Sequence, residues 1–223
     1  MSVDSKTYLF GGPNPWSQTD WTASDDTVRG GASYSNLLVS LDTSTATISG
    51  YLDIKALGGA GFASQRTVDG LSWDLSAYDG IELDIALSDK KIYTLFLKDE
   101  IPPRRSDGRE RSSLSWEAEF RAPVGRKVVI RWEDLRPVYR GREVEVTKPV
   151  NLTSIKRVGV MMRSFFGSQK GPFSLTMVSI AVWKGGDEKG EKEGVMTDLE
   201  AEESLDGEYV YEDDPPVSCC RVS

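Results

Sequence analysis

Histidine is absent from the 223 residues of this chain. That removes Ser-His-Asp and Cys-His nucleophile arrangements, imidazole proton shuttles and every His-containing zinc site. Cysteine is almost absent too. The two that occur, Cys219 and Cys220, are neighbours at the C-terminal end, so they neither staple the fold nor complete a four-ligand metal site. No apolar run approaches the roughly 18 residues that a membrane-spanning helix needs. One-signed charge is missing from most of the chain as well. Residues 1–186 carry 24 Lys/Arg and 22 Asp/Glu, unlike the strongly basic domain of a dedicated nucleic-acid binder. The first ten residues hold an Asp and run straight into the patterned region, so they read as neither a signal peptide nor an Arg-rich transit peptide.

What is present is short-period alternation. Apolar and polar residues alternate, with β-branched and aromatic enrichment, over 36–41, 46–57, 62–66, 80–87, 92–97, 114–121, 127–132, 155–162 and 173–183. In 114–121, Leu114, Trp116, Ala118 and Phe120 share one face, while Glu117 and Glu119 read as a solvated surface on the other. The stretches 158–162 and 175–182 are more continuously apolar and suit strands covered on both sides. Only single helical turns are expected, near 76–78 and 132–136. Many short strands separated by Gly, Pro, Asn and Asp predict an all-β fold, a jelly-roll sandwich of two antiparallel sheets. With 39% hydrophobic residues, one domain over 1–186 is expected.

Two segments stand apart. Residues 101–111 form a proline-led, exposed loop with Arg104, Arg105, Arg109 and Arg111, and 104–142 as a whole holds 11 basic and 6 acidic residues. Residues 187–223 hold 13 acidic against 3 basic residues and few core formers, the composition of a disordered acidic tail. The chain ends Cys219-Cys-Arg-Val-Ser223. A Cys fourth from the end fits a farnesylation signal on Cys220, with Cys219 placed for a second acyl anchor, a possible membrane tether. Arg221 is not aliphatic and the flank is acidic, so an incidental chain end is the competing reading.

Glycine punctuates the N-terminal third in two places: Trp21-Thr-Ala-Ser-Asp-Asp-Thr-Val-Arg-Gly-Gly-Ala-Ser-Tyr-Ser35 and Gly58-Gly-Ala-Gly-Phe-Ala-Ser-Gln-Arg66. Gly30 and Gly31 read as a sharp turn after an acidic pair. Asp25, Asp26, Arg29, Gly30, Gly31, Arg66 and Arg163 are the candidate ligand or partner-binding residues, converging at one rim. Either the carboxylates cap their own turn and Arg66 makes a buried ion pair, or they bind a polar ligand or Ca²⁺ with Arg as a donor fork. Two acids alone are too few ligands to claim a metal. Trp116 is the candidate aromatic, as core or as the floor of a concave face.

These two segments, followed by Trp73-Asp-Leu-Ser-Ala-Tyr-Asp-Gly80 and Gly171-Pro-Phe-Ser-Leu175, resemble the complex I intermediate-associated protein 30 family over roughly residues 8–184. The resemblance implies a galactose-binding-like sandwich related to carbohydrate-binding modules. It also implies a non-enzymatic assembly factor or chaperone without a cofactor, whose protein partners are assembly intermediates of the respiratory NADH dehydrogenase. Location is mitochondrial by the same resemblance, and cytosolic or on a cytosol-facing membrane if Cys220 is prenylated. The alternative is a module binding carbohydrate or another small ligand on the concave sheet face.

Overall fold

Alternation becomes strand geometry in the computed structural model, which describes residues 5–185 apart from residue 123. The acidic segment 187–223, with Cys219 and Cys220, lies outside the described residues. The strands run in chain order β1 (Ser5–Gly11), β2 (Trp21–Ala23), β3 (Tyr34–Ser40), β4 (Thr45–Leu52), β5 (Phe62–Thr67), β6 (Gly80–Ser88), β7 (Ile92–Lys98), β8 (Ser115–Arg121), β9 (Lys127–Arg131), β10 (Arg136–Tyr139), β11 (Arg142–Glu143), β12 (Arg157–Arg163) and β13 (Gly171–Lys184). They form two wholly antiparallel sheets. The first has the order β3-β4-β13-β6-β9, with β1 also on β13; the second is β11-β10-β8-β7-β12-β5-β2. The sandwich expected from the sequence is what forms.

Strand β13 organises the first sheet. On one side its first half pairs with β4 and its second half with β1, while β6 runs along the other side. The register on β6 shifts between Met177 and Ser179, and the Val178 carbonyl freed near this irregularity accepts the Trp16 indole N–H at 2.9 Å. Gly11 passes this point with φ +74°, where any Cβ would overlap the Val178 carbonyl. Trp16 joins Phe10, Trp21 and Trp73 in an aromatic cluster at that edge of the core.

The inward rows interdigitate between the sheets: Ile81, Leu83 and Ile85 of β6 from one side, and Tyr93, Leu95 and Leu97 of β7 from the other, are fully buried. Each such side chain contributes about 1.5–3 kcal/mol by leaving water.

Sequence boundaries move where turn chemistry intervenes. The stretch 46–57 is not one strand, because β4 ends at Leu52. The Asp53 carboxylate then accepts the N–H groups of Lys55 and Ala56, and Gly58 and Gly59 take positive φ. Residues 76–78 form a turn rather than a helical piece, held by Asp74 accepting from Ser76. Residues 132–136 divide into one 3-10 turn at Trp132–Asp134 and the start of β10.

Candidate functional site

The acidic pair after β2 is a clasp between the sheets. Asp26, with no exposed surface, accepts the Ser33 N–H (3.0 Å), the Ser33 hydroxyl (2.7 Å) and the Phe62 N–H (3.1 Å). Asp25 accepts the Ser35 N–H (3.0 Å), the Ser35 hydroxyl (2.7 Å) and the Ser64 N–H (2.9 Å). Ser35 lies on β3 of one sheet and Ser64 on β5 of the other, so two neighbouring carboxylates tie the layers together. Burial pushes the Asp25 carboxyl up from its ordinary value, although hydrogen bonds from Ser35 and Ser64 oppose this. The turn between donor and acceptor is short: a 3-10 turn at Asp26–Arg29 closes on Gly30 at φ +84°, and a Cβ on Gly31 would overlap the Asp26 carboxylate. Arg29 and Gly30 are exposed, the Arg29 guanidinium standing 5.7 Å from the Phe62 ring centre.

The second sheet presents a charged outer face. Residues directly opposite on paired strands share a face, which sets Arg66 (β5), Gly159 (β12), Phe96 (β7), Glu117 (β8) and Arg136 (β10) in one row. Arg157 and Lys98 form the next row, and Phe62 and Arg163 lie two rows away on the other side. Arg66 and Arg163 therefore share this face at different levels. Trp116 points the opposite way, into the core.

Arg66 is 7% exposed and Arg157 only 3%. Unpaired, two such buried cations would be prohibitively costly. Their carboxylates arrive from loops. Glu110 receives Arg66 Nη2 at 2.5 Å and Arg157 Nη1 and Nη2 at 3.0 and 3.3 Å. Asp69 receives Arg157 Nη2 at 2.5 Å and Arg104 Nη2 at 3.1 Å. Burial would raise both carboxyls, but hydrogen bonds and charge from Arg157, joined by Arg104 at Asp69 and by Arg66 at both, hold them below the usual range. Lys98, hydrogen-bonded to the Ser113 hydroxyl at 2.8 Å, is pushed down to about 8 by burial and by the neighbouring charge of Arg157.

Further along the face Arg163 bridges Glu117 (2.9 Å) and Glu119. Glu117 also accepts the Ser115 hydroxyl at 2.5 Å. Glu117 is 8% exposed, which corrects the expectation of a solvated position; Glu119 is open to water. A cleft of about 240 Å³ opens here, lined by Glu117, Glu119, Asp134, Arg136, Val138 and Arg163 among others.

The Arg-rich loop is exposed at Arg104, Arg105, Arg109 and Arg111. Its turn is closed by the Arg105 N–H on the Arg109 carbonyl and the Gly108 N–H on the Arg105 carbonyl, both at 2.9 Å. It is also anchored to the sheet face through Glu110. Sequence reasoning passed over Lys98, Glu110, Arg157 and Asp69. A partial signal was present: Arg157, Gly159, Met161 and Arg163 alternate with Val158, Val160 and Met162, so one face of that strand carries cations. Which acids meet them depends on pairings 44 to 88 residues apart, from Arg163 with Glu119 to Arg157 with Asp69.

Chemically, the face is a set of fixed guanidinium forks that grip carboxylate oxygens by charge-assisted hydrogen bonds, with one ammonium, Lys98, resting on the Ser113 hydroxyl.

Residues 8–177 match the family model described as Complex I intermediate-associated protein 30. An uncharacterised protein of Schizosaccharomyces pombe, C9E9.15, is 43% identical over 180 residues, which is 77% of this chain and 81% of that one. Among solved structures, the family 11 carbohydrate-binding module of a cellulosomal cellulase of Clostridium thermocellum superposes with a TM-score of 0.56 at 12% identity, covering 85% of this chain and all of that one. The module of the same family and organism in complex with a β-1,3-1,4-mixed-linked tetrasaccharide gives 0.54 at 14% identity, over 84% of this chain and all of the module. At such identities the likeness is one of fold.

Proposed function

The chain belongs to the complex I intermediate-associated protein 30 family, and from that premise we infer that it is a non-enzymatic protein-binding domain of the assembly-factor kind, its partners being assembly intermediates of respiratory complex I in mitochondria. The family match across residues 8–177 carries this reading. The surface supports it over sugar binding. A pyranose platform needs an exposed indole or phenol beside polar groups in a groove. Trp16, Trp21 and Trp116 are buried and Trp73, Trp132 and Trp183 half-buried. The exposed phenols Tyr34 and Tyr51 stand opposite each other on β3 and β4 of the other sheet, and the cleft on the outer face of the second sheet is lined largely by charged side chains, without an aromatic ring. Around that face stand the exposed Arg104, Arg105, Arg109 and Arg111, a basic surface suited to an acidic protein partner.

The test is capture with the tagged full chain from its own cells, after fractionation. Membrane subunits of the NADH dehydrogenase should co-purify. Replacing Arg105, Arg109 and Arg111, whose side chains hold no buried group among the described residues, by Ala should remove most of them while thermal unfolding stays unchanged. A cytosolic chain carrying farnesyl on Cys220 and no such subunits would overturn the assembly reading. Glycan-array binding lost on substituting an exposed tyrosine would replace it with the carbohydrate alternative, which rests on fold likeness alone.

A further inference from the structure

At one end of the charged face four cations, Arg66, Arg157, Arg104 and Lys98, gather around two carboxylates, Asp69 and Glu110, while Glu117, also near Lys98, is engaged by Arg163. The two central arginines are fixed: their strands β5 and β12 pair with each other inside the sheet. Lys98 is the direct cross-strand partner of Arg157. The Nε atoms of Arg66 and Arg157 are buried without hydrogen-bond partners among the described residues. Beneath them Phe96, 7% exposed, lies so close over Gly159 that a Cβ there would overlap its ring. The floor is thus apolar, which strengthens charge-assisted bonds made against it.

Glu110 comes from the exposed loop, its side chain is 35% exposed, and its two oxygens are shared between two guanidinium groups. Asp69 also comes from a loop and is 44% exposed, but Glu110 alone turns both of its oxygens to the two buried forks, whereas Asp69 gives them one and Arg104 the other. An anion arriving from solvent would be held the same way. We propose that Arg66, Arg157 and Lys98 form a binding site for a small phosphate monoester, which the Glu110 carboxylate occupies in the free protein. With Glu110 in place two positive charges remain in surplus, and a monoanionic carboxylate cannot offset them. A phosphate monoester is nearly dianionic at neutral pH and offers three terminal oxygens. Two of these replace the Glu110 oxygens on the arginine forks. The third reaches Lys98, whose ammonium now rests on Ser113. Exchange requires only that the loop side chain swing out, because both forks stay on the sheet. The exposed Arg104, Arg105, Arg109 and Arg111 steer anions toward these cations. The inference is independent of the protein-scaffold reading.

Isothermal titration calorimetry of the full chain with glycerol 3-phosphate, inorganic phosphate and acetate at low ionic strength tests it. Glu110→Gln should bind glycerol 3-phosphate at least tenfold more tightly than the wild type, with acetate giving no measurable heat. Adding Lys98→Met to Glu110→Gln should lose that gain; this change removes a buried cation and leaves both forks on Asp69, which Arg157 Nη2 reaches at 2.5 Å and Arg66 Nη1 at 3.4 Å, so folding is retained and is checked by thermal unfolding. Absence of phosphate-monoester binding to Glu110→Gln would overturn the proposal, as would equal affinity for acetate or affinity indifferent to Lys98→Met. A phosphoserine peptide binding far more tightly than glycerol 3-phosphate would assign the site to a modified protein and overturn the small-ligand assignment.

Discussion

Replacing Asp26 by Ala strips acceptors from the Ser33 N–H, the Ser33 hydroxyl and the Phe62 N–H at a site without solvent access. Buried donors left unpaired cost about 1–3 kcal/mol each, partly relieved by entering water, so the expected loss is about 3 kcal/mol. Gly31→Ala should cost a comparable amount by driving a methyl group into the same carboxylate. Because both changes strike one contact, the double variant should be clearly less destabilised than the sum, as measured by urea unfolding; strict additivity would mean that the two residues act separately. Lys98 gives a pH signature. Its value of about 8 in the folded state lies below the ordinary 10.5, so between these values the unfolded chain binds more protons and stability rises with pH. The cost of holding a charged Lys98 out of water, and beside Arg157 and Arg66, only partly offset by Glu110 and Glu117, is present below about 8 and gone above 10.5. Wild-type stability should therefore gain about 2–3 kcal/mol relative to Lys98→Met between pH 7.5 and 10.5. A parallel pH dependence of the two proteins would refute the shift.

At the scale of elements, β12 shows how a strand serves two surfaces at once. Its even positions Val158, Val160 and Met162 fill the core, while Arg157, Gly159 and Arg163 build the charged face. Gly159 is small so that the Phe96 ring can lie across it, and Gly159→Ala would also bring a Cβ to 2.9 Å from the Gln65 carbonyl. We expect Gly159→Ala to destabilise by about 2 kcal/mol or more. Phe96→Ala added to it should recover part of the loss in chemical denaturation; no recovery would mean that backbone crowding at Gln65 dominates. Strands of this type were legible in sequence, since 80–87 and 92–97 fall within one residue of β6 and β7. Their apolar residues recur every second position and fill one core. Strand β2 was not legible, because its three residues offer a single buried side chain, Trp21. Nor was β1, whose place is set by backbone pairing to β13 168 to 179 positions away.

At the scale of the molecule, composition and alternation sufficed for an antiparallel sandwich, because any half-buried sheet of this length needs a second sheet to cover it. They did not suffice for the outer face of the second sheet. The arginines could be seen on their strands, but the pairing of Arg157 with Asp69 and Glu110 follows from sheet order, which local pattern does not encode. The same sheet order governs how the chain is made. Strand β13, the middle of the first sheet, is synthesised last among the described strands and closes on β1, synthesised first. Until residue 184 leaves the ribosome, β4, β6 and β1 each keep an open edge that β13 alone satisfies. No N-terminal portion of the sandwich can finish early, so a nascent chain of this protein holds unpaired strands for nearly the whole of its synthesis and depends on holdases, or on rapid release, to avoid pairing them with another chain.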